Sequence, residues 1–206
     1  MLYLEQGVVV HPVQEGFAPL RGEDGSVLDP FDVSDRLIAK YHRFYFVDLD
    51  GLRTNQPQLD YLQELSHGHE VWAEAGPRNA EQVIDIMVAG ATKVVLSLEL
   101  LDQPETEMAH TLLLTPEIAL LLNANQTGVL SADEDLRGRP LPEVGRRALE
   151  WGVPTLVLPD AREGWETVSA LAQLTSLYVK GVRPEEMESL RASGAAGAIF
   201  EVPDRE

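Results

Sequence analysis

Residues 44–51 read Phe-Tyr-Phe-Val-Asp-Leu-Asp-Gly. Four apolar residues run without a polar break, then Asp48 and Asp50 flank a leucine and Gly51 closes the stretch. A strand apolar on both faces belongs to a parallel sheet covered by helices. Carboxylates at the C-terminal end of such a strand stand where ligands gather. Two residues apart on a strand, the Asp48 and Asp50 side chains are expected to share a face.

The same reading extends outward. Apolar runs recur at residues 8–13, 70–76, 93–100, 118–124, 155–160, 176–181 and 195–202. Amphipathic patterns separate them, among them DPFDVSDRLIAKYH, QPQLDYLQELSH, RNAEQVIDIMVAG, LPEVGRRALEWG and RPEEMESLRASG. Gly90, Gly152 and Gly194 each stand where a helix stops in the left-handed conformation. Seven or eight strand–helix units predict a (β/α)8 TIM-type barrel, with a doubly wound open sheet as the alternative. The stretches 14–29 and 125–140 are expected to be loops over the C-terminal face of the sheet. No Pro-, Ser- or Gly-rich linker interrupts the chain, so residues 1–206 are expected to form one domain.

The 206 residues carry 16 Lys and Arg against 34 Asp and Glu, a formal charge of −18. Such a chain lacks the cationic stripe needed for nucleic acid or for an anionic membrane surface. With no cysteine, disulfides, thiol catalysis and thiolate metal sites are excluded, and a cytoplasmic location is expected. No apolar run approaches the length of a membrane span. The histidines have no ligand spacing, so neither a metal nor a cofactor is expected.

Two passages of the chain match each other. FVDLDGLRTNQ pairs with LVLPDAREGWE, and AGPRNAEQVIDIMVAGATKVVLSL pairs with KGVRPEEMESLRASGAAGAIFEV. Each second passage opens on Gly-x-Arg, ending at Arg78 or Arg183, and continues through a helix, a Gly-Ala step and an apolar strand. Residues 44–100 thus read as a half-barrel repeat of 155–202.

With that repeat, the motifs GVVVHPV, DPFDV, FYFVDLDG, WAEAGPR and AGATKVVLSLELL resemble the HisA/HisF branch of phosphoribosyl-handling barrels. LEQGVVVHPV and LPDAREG are similar to the divergent group of that branch associated with tetrahydromethanopterin cofactor genes. The resemblance implies an isomerase fold, carboxylates as general acid and base, and glycine-rich phosphate cups. It places a strand-one aspartate at Tyr3, a strand-five aspartate at Asn123 and a strand-six aspartate at Glu163. One acid is lost, one has become an amide and one is a longer acid, so the histidine-pathway Amadori isomerisation is not expected. Where the family keeps small cup residues, this chain has Glu99 and Glu201, which argues against a doubly phosphorylated sugar.

Asp48, Asp50, Asp160 and Glu163 are the candidate catalytic acids. Arg78, Lys180 and Arg183 are candidate anion partners, and Asn123, Arg162 and Glu74 are further candidate ligand contacts. Two functions fit: an isomerase- or lyase-type acid/base enzyme of small-molecule or cofactor metabolism, and a non-catalytic barrel that binds a metabolite or acts as a scaffold. Barrels of this kind run to about 250 residues, so a shortened barrel lacking its last helix is expected. The seam between strands eight and one would then be covered by a second copy, making a homo-oligomer.

Overall fold

In the computed structural model, which describes residues 1–201 apart from the Ile38 side chain, the first strand turns back on itself at once. After β1 (Leu2–Glu5), Gln6 and Gly7 both take positive φ, 51° and 73°. Positive φ at both central residues is the signature of a type I′ hairpin turn. β2 (Val8–Val13) therefore runs antiparallel to β1, with Tyr3 opposite Val10, and β3 (Gly16–Pro19) adds antiparallel to β2. The stretch expected to be a loop from residue 14 to 29 thus contains a strand.

α1 (Pro30–Ile38) follows. Its N-cap, Asp29, accepts from the backbone N–H groups of Phe31 and Asp32, which offsets two of the unsatisfied donors of a helix start. β4 (Arg43–Asp48) then runs parallel to β1, pairing Leu4 with Asp48. α2 (Leu49–Thr54), α3 (Leu59–Leu65), β5 (Glu70–Glu74), α4 (Ala80–Val88) and β6 (Lys93–Ser97) come next. A 3-10 turn over Leu98–Leu100 leads to α5 (Pro104–Leu114) and β7 (Ile118–Leu121). β8 (Ala124–Asn125) and β9 (Gly128–Val129) form a short hairpin inside the stretch expected to be a loop. The remaining elements are α6 (Leu141–Glu150), β10 (Thr155–Leu158), α7 (Trp165–Ala172), β11 (Ser176–Lys180), α8 (Met187–Ser193) and β12 (Gly197–Ile199). Gly90, Gly152 and Gly194 have φ of 110°, 88° and 80°, as their positions predict.

Two compact units divide the described chain. The first holds Met1–Pro77, Ile84–Val94 and Glu201; the second holds Arg78–Val83 and Val95–Phe200. Leu4, Phe46, Leu62 and Val71 are among the buried side chains of the first, and Leu96, Met108, Ile118 and Val179 of the second. Burying such side chains stabilises each unit by about 1.5–3 kcal/mol apiece. Among the described residues no helix is long and apolar enough to cross a membrane.

The hydrogen-bonded strand order corrects the expected (β/α)8 barrel. It runs β12-β11-β10-β7-β6-β5-β4-β1-β2-β3, an open mixed sheet of ten strands. The physical reason lies in the Gln6-Gly7 turn. By folding β2 onto the free side of β1, it gives that strand a neighbour on each side, β4 and β2, so the edge where an eighth strand would close a barrel is occupied. The parallel strands follow chain order without reversal, so the sheet is not doubly wound either. The expected seam between strands eight and one is replaced by two terminal strands, β3 and β12. Val202, the last residue of the expected final strand, and the chain beyond it, where the absent helix was expected, lie outside the described residues.

Candidate functional site

The predicted site residues fall in both units, and each group is built from its own neighbours. In the first unit the DLDG motif bends earlier than alternation predicts. The strand ends at Asp48, which is the N-cap of α2, while Asp50 lies in the first turn of that helix. The two carboxylates therefore do not share a strand face. Asp48 Oδ1 accepts from the N–H groups of Asp50 and Gly51, at 3.1 and 3.0 Å, and from Gln58 Nε2 at 3.3 Å. Its Oδ2 accepts from the Gln58 N–H. The residue is fully buried. Burial pushes its carboxyl above the ordinary value, and the hydrogen bonds from Gly51 and Gln58 offset that rise only in part.

Asp50 is engaged too. Its Oδ2 accepts from the Gln6 N–H at 2.7 Å, and the Gly7 N–H donates to Gln58 Oε1 at 2.7 Å. Asp48, Asp50 and Gln58 thereby hold both residues of the hairpin turn. Glu74, at the end of β5, is buried and accepts a 2.6 Å hydrogen bond from the Tyr45 hydroxyl. Burial, then the charge of Glu74, keeps Tyr45 in its neutral form. Tyr3 is likewise held as a neutral phenol by burial and by the charges of Glu201 and Glu74. A phenol in that state is a poor base.

In the second unit, register aligns the ends of three neighbouring strands. β7 pairs with β10, Leu121 opposite Val157, and β10 pairs with β11, Leu158 opposite Val179. Asn123, Asp160 and Lys180 follow within two residues of those pairs. Asp160 accepts from Arg162 through both the backbone N–H, at 2.8 Å, and Nε, at 2.6 Å. Partial burial opposes ionisation of Asp160, but the Arg162 hydrogen bonds and the Arg162 and Lys180 charges outweigh it and hold the carboxyl below its usual range. Lys180 is buried. Asn123 Nδ2 donates to Glu99 Oε1.

The other candidates are placed differently. Glu163 is exposed, and its backbone carbonyl accepts from Thr167 Oγ1 at 3.0 Å. Arg183 turns its guanidinium onto Glu186, at 3.1 and 3.2 Å, closing the start of the 3-10 turn Pro184–Glu186. The Arg78 N–H donates to Gln82 Oε1 at 2.8 Å, at the entry to α4. Among the described residues no group of three or more His, Asp or Glu is placed to hold a metal ion.

Sequence reasoning missed Tyr45 and Gln58. Tyr45 is legible only once β4 and β5 are known to pair; a glutamine ten residues beyond Asp48 carries no signal at all. Neither a family model nor a curated protein matches the chain.

Proposed function

We propose that the protein binds a small polar metabolite at the C-terminal ends of β7, β10 and β11 and does not transform it. On this reading it is a relative of the phosphoribosyl isomerases that has left their Amadori chemistry. The observation that carries the proposal is the state of Asp48. General acid/base catalysis needs a carboxylate that can reach and exchange a proton with its substrate. The Asp48 carboxylate is instead buried, with both oxygens accepting hydrogen bonds from its own loop and helix. Asp50 is committed to the hairpin turn in the same way. Binding is supported by the row of Asn123, Asp160 and Lys180, which offers an amide, a carboxylate and an ammonium at the strand ends of a parallel sheet.

One observation favours an acid/base isomerase or lyase as a second reading: Asp160 is held ionised beside Lys180, and an ionised carboxylate can serve as a base. Thermal denaturation against D-ribose, D-ribose 5-phosphate and a pterin separates the two. Binding predicts that one compound raises Tm in the wild type, that Asp160→Asn loses the shift, and that the compound is recovered unchanged. Conversion of the compound by the wild type, lost in Asp160→Asn, would establish the second reading. No shift and no conversion with any of the three compounds would overturn both.

The proposal includes a reducing, cytoplasmic setting, which the absence of cysteine suits. It also includes self-association at β12, which stands last in the strand order. A monomer in sedimentation at micromolar concentration would remove that element.

A further inference from the structure

Asn123 sits one residue beyond Leu122, whose N–H donates to the Val157 carbonyl at 2.9 Å and so extends the β7–β10 ladder. Its own carbonyl accepts from the Leu130 N–H at 2.8 Å, and the Leu98 carbonyl accepts from the Ala132 N–H at 3.0 Å. The segment leaving the β8–β9 hairpin therefore grips both Asn123 and the 3-10 turn that carries Glu99. That turn is capped in its own right, with the Glu99 N–H donating to Ser97 Oγ. Two side chains on separately anchored backbones meet in one hydrogen bond, Asn123 Nδ2 to Glu99 Oε1.

An ionised carboxylate only accepts hydrogen bonds, so it can face only the NH2 side of an amide. Glu99 is exposed and Asn123 half-buried. With Nδ2 drawn to Glu99, Oδ1 is left at the other edge of the amide as an acceptor. Beside it along the strand ends, Asp160 is a second acceptor, and its two cations are already engaged: the Arg162 guanidinium by hydrogen bonds and the Lys180 charge by Coulomb attraction.

We propose that Glu99 is a specificity-determining residue which fixes the Asn123 amide as an acceptor and so selects neutral, hydrogen-bond-donating polyhydroxylated ligands over phosphate monoesters. The inference rests on the binding site proposed above and adds its ligand class. A phosphate would meet two carboxylates and an amide oxygen that cannot donate to it, while the Arg162 and Lys180 cations that could are already drawn to Asp160. A sugar hydroxyl can donate to each.

Isothermal titration of D-ribose and D-ribose 5-phosphate into the wild type and into Glu99→Gln and Glu99→Ala tests the inference. The wild type is expected to prefer D-ribose by about tenfold or more, the scale of one like-charge contact avoided. Glu99→Ala frees the amide to turn its NH2 outward, and Glu99→Gln removes the charge and can face either edge of the amide, so the preference should narrow about tenfold in each, with unchanged circular dichroism. Equal binding of the two compounds by the wild type, or a preference unaltered in both variants, would overturn the selectivity and leave the binding site standing. If the wild type binds neither compound, the selectivity falls; if the pterin also fails to bind, the proposed function falls with it.

Discussion

The backbones of Gly51 and Gly76 lie against each other, one in the first turn of α2 and the other just past the end of β5. A Cβ on Gly51 would come within 2.3 Å of the Ala75 carbonyl oxygen, and one on Gly76 within 2.6 Å of the Gly51 carbonyl oxygen. Gly76 also has φ of 70°, which side chains resist. Neither clash can be relieved by a side-chain rotation, because each obstacle is main chain. Gly51→Ala and Gly76→Ala are each expected to destabilise the fold by about 2–4 kcal/mol, with Gly51→Ala at no strained φ and Gly76→Ala at one. Urea denaturation followed by circular dichroism checks both.

Asp48 has two roles to lose. Asp48→Ala removes an N-cap and leaves the Gln58 N–H without its acceptor, at a cost of about 1–3 kcal/mol. Asp48→Asn keeps an acceptor for the cap but turns its NH2 toward the Gln58 N–H, and at pH 7 is also expected to cost about 1–3 kcal/mol. The pH dependence separates charge from shape. Burial raises the folded-state carboxyl above its unfolded value, so the folded protein binds that proton more tightly than the unfolded chain. Its contribution is full below the unfolded pKa of about 3.9 and is lost as pH rises through the raised folded value. Asp48→Asn should therefore gain on the wild type between pH 4 and pH 7 in urea midpoints, and parallel profiles would contradict this.

Much of the fold can be read from particular residues, and the rest depends on partners the chain meets only when folded. The apolar runs locate the parallel strands, and the glycines at 90, 152 and 194 end their helices as expected. The Gln6-Gly7 turn is also visible in the sequence. What it does is not, because the edge of β1 is lost only through pairing with β2. Asp48 carries two conflicting signals, alternation along a strand and the capping preference of aspartate before a helix, and the cap prevails. Arg183 reads as an anion partner until the Glu three residues on is counted. Glu99 was legible as a carboxylate out of place, but its grip on Asn123 joins residues that no spacing rule connects.

Tyr45 and Glu74 form a buried hydrogen bond between adjacent parallel strands, and β4 and β5 pair along five positions from Arg43 to Val47. Tyr45→Phe keeps the ring and deletes the hydroxyl that donates to the carboxylate. Hydrogen bonds to a charged, buried acceptor contribute more than neutral ones, and the variant is expected to lose about 1–3 kcal/mol. Glu74→Gln weakens this bond when the hydroxyl is present but has no such bond to lose in the Tyr45→Phe background, so there it should cost less than it does alone. A double-mutant cycle by urea denaturation gives that coupling, and strict additivity would show that the bond contributes nothing.

Asp160 and Arg162 give a pH signature of the opposite sign from Asp48. Partial burial works against the Asp160 charge, but the Arg162 hydrogen bonds and the nearby cations prevail, and the folded carboxyl lies below its unfolded value. The contribution is therefore present above the unfolded pKa of about 3.9 and is lost as pH falls through the lower folded value. Its size is limited by exposure: the Arg162 side chain is 84% accessible, and solvent screens such a pair to about 1 kcal/mol or less. Asp160→Asn should cost that small amount at pH 7 and progressively less as pH falls below the unfolded value and through the lower folded one, and raising the salt concentration should shrink the pH 7 difference. Melting temperatures of the two proteins measured from pH 7 downward test this; a difference that grows as the pH falls would mean that the pair does not hold Asp160 in its charged form.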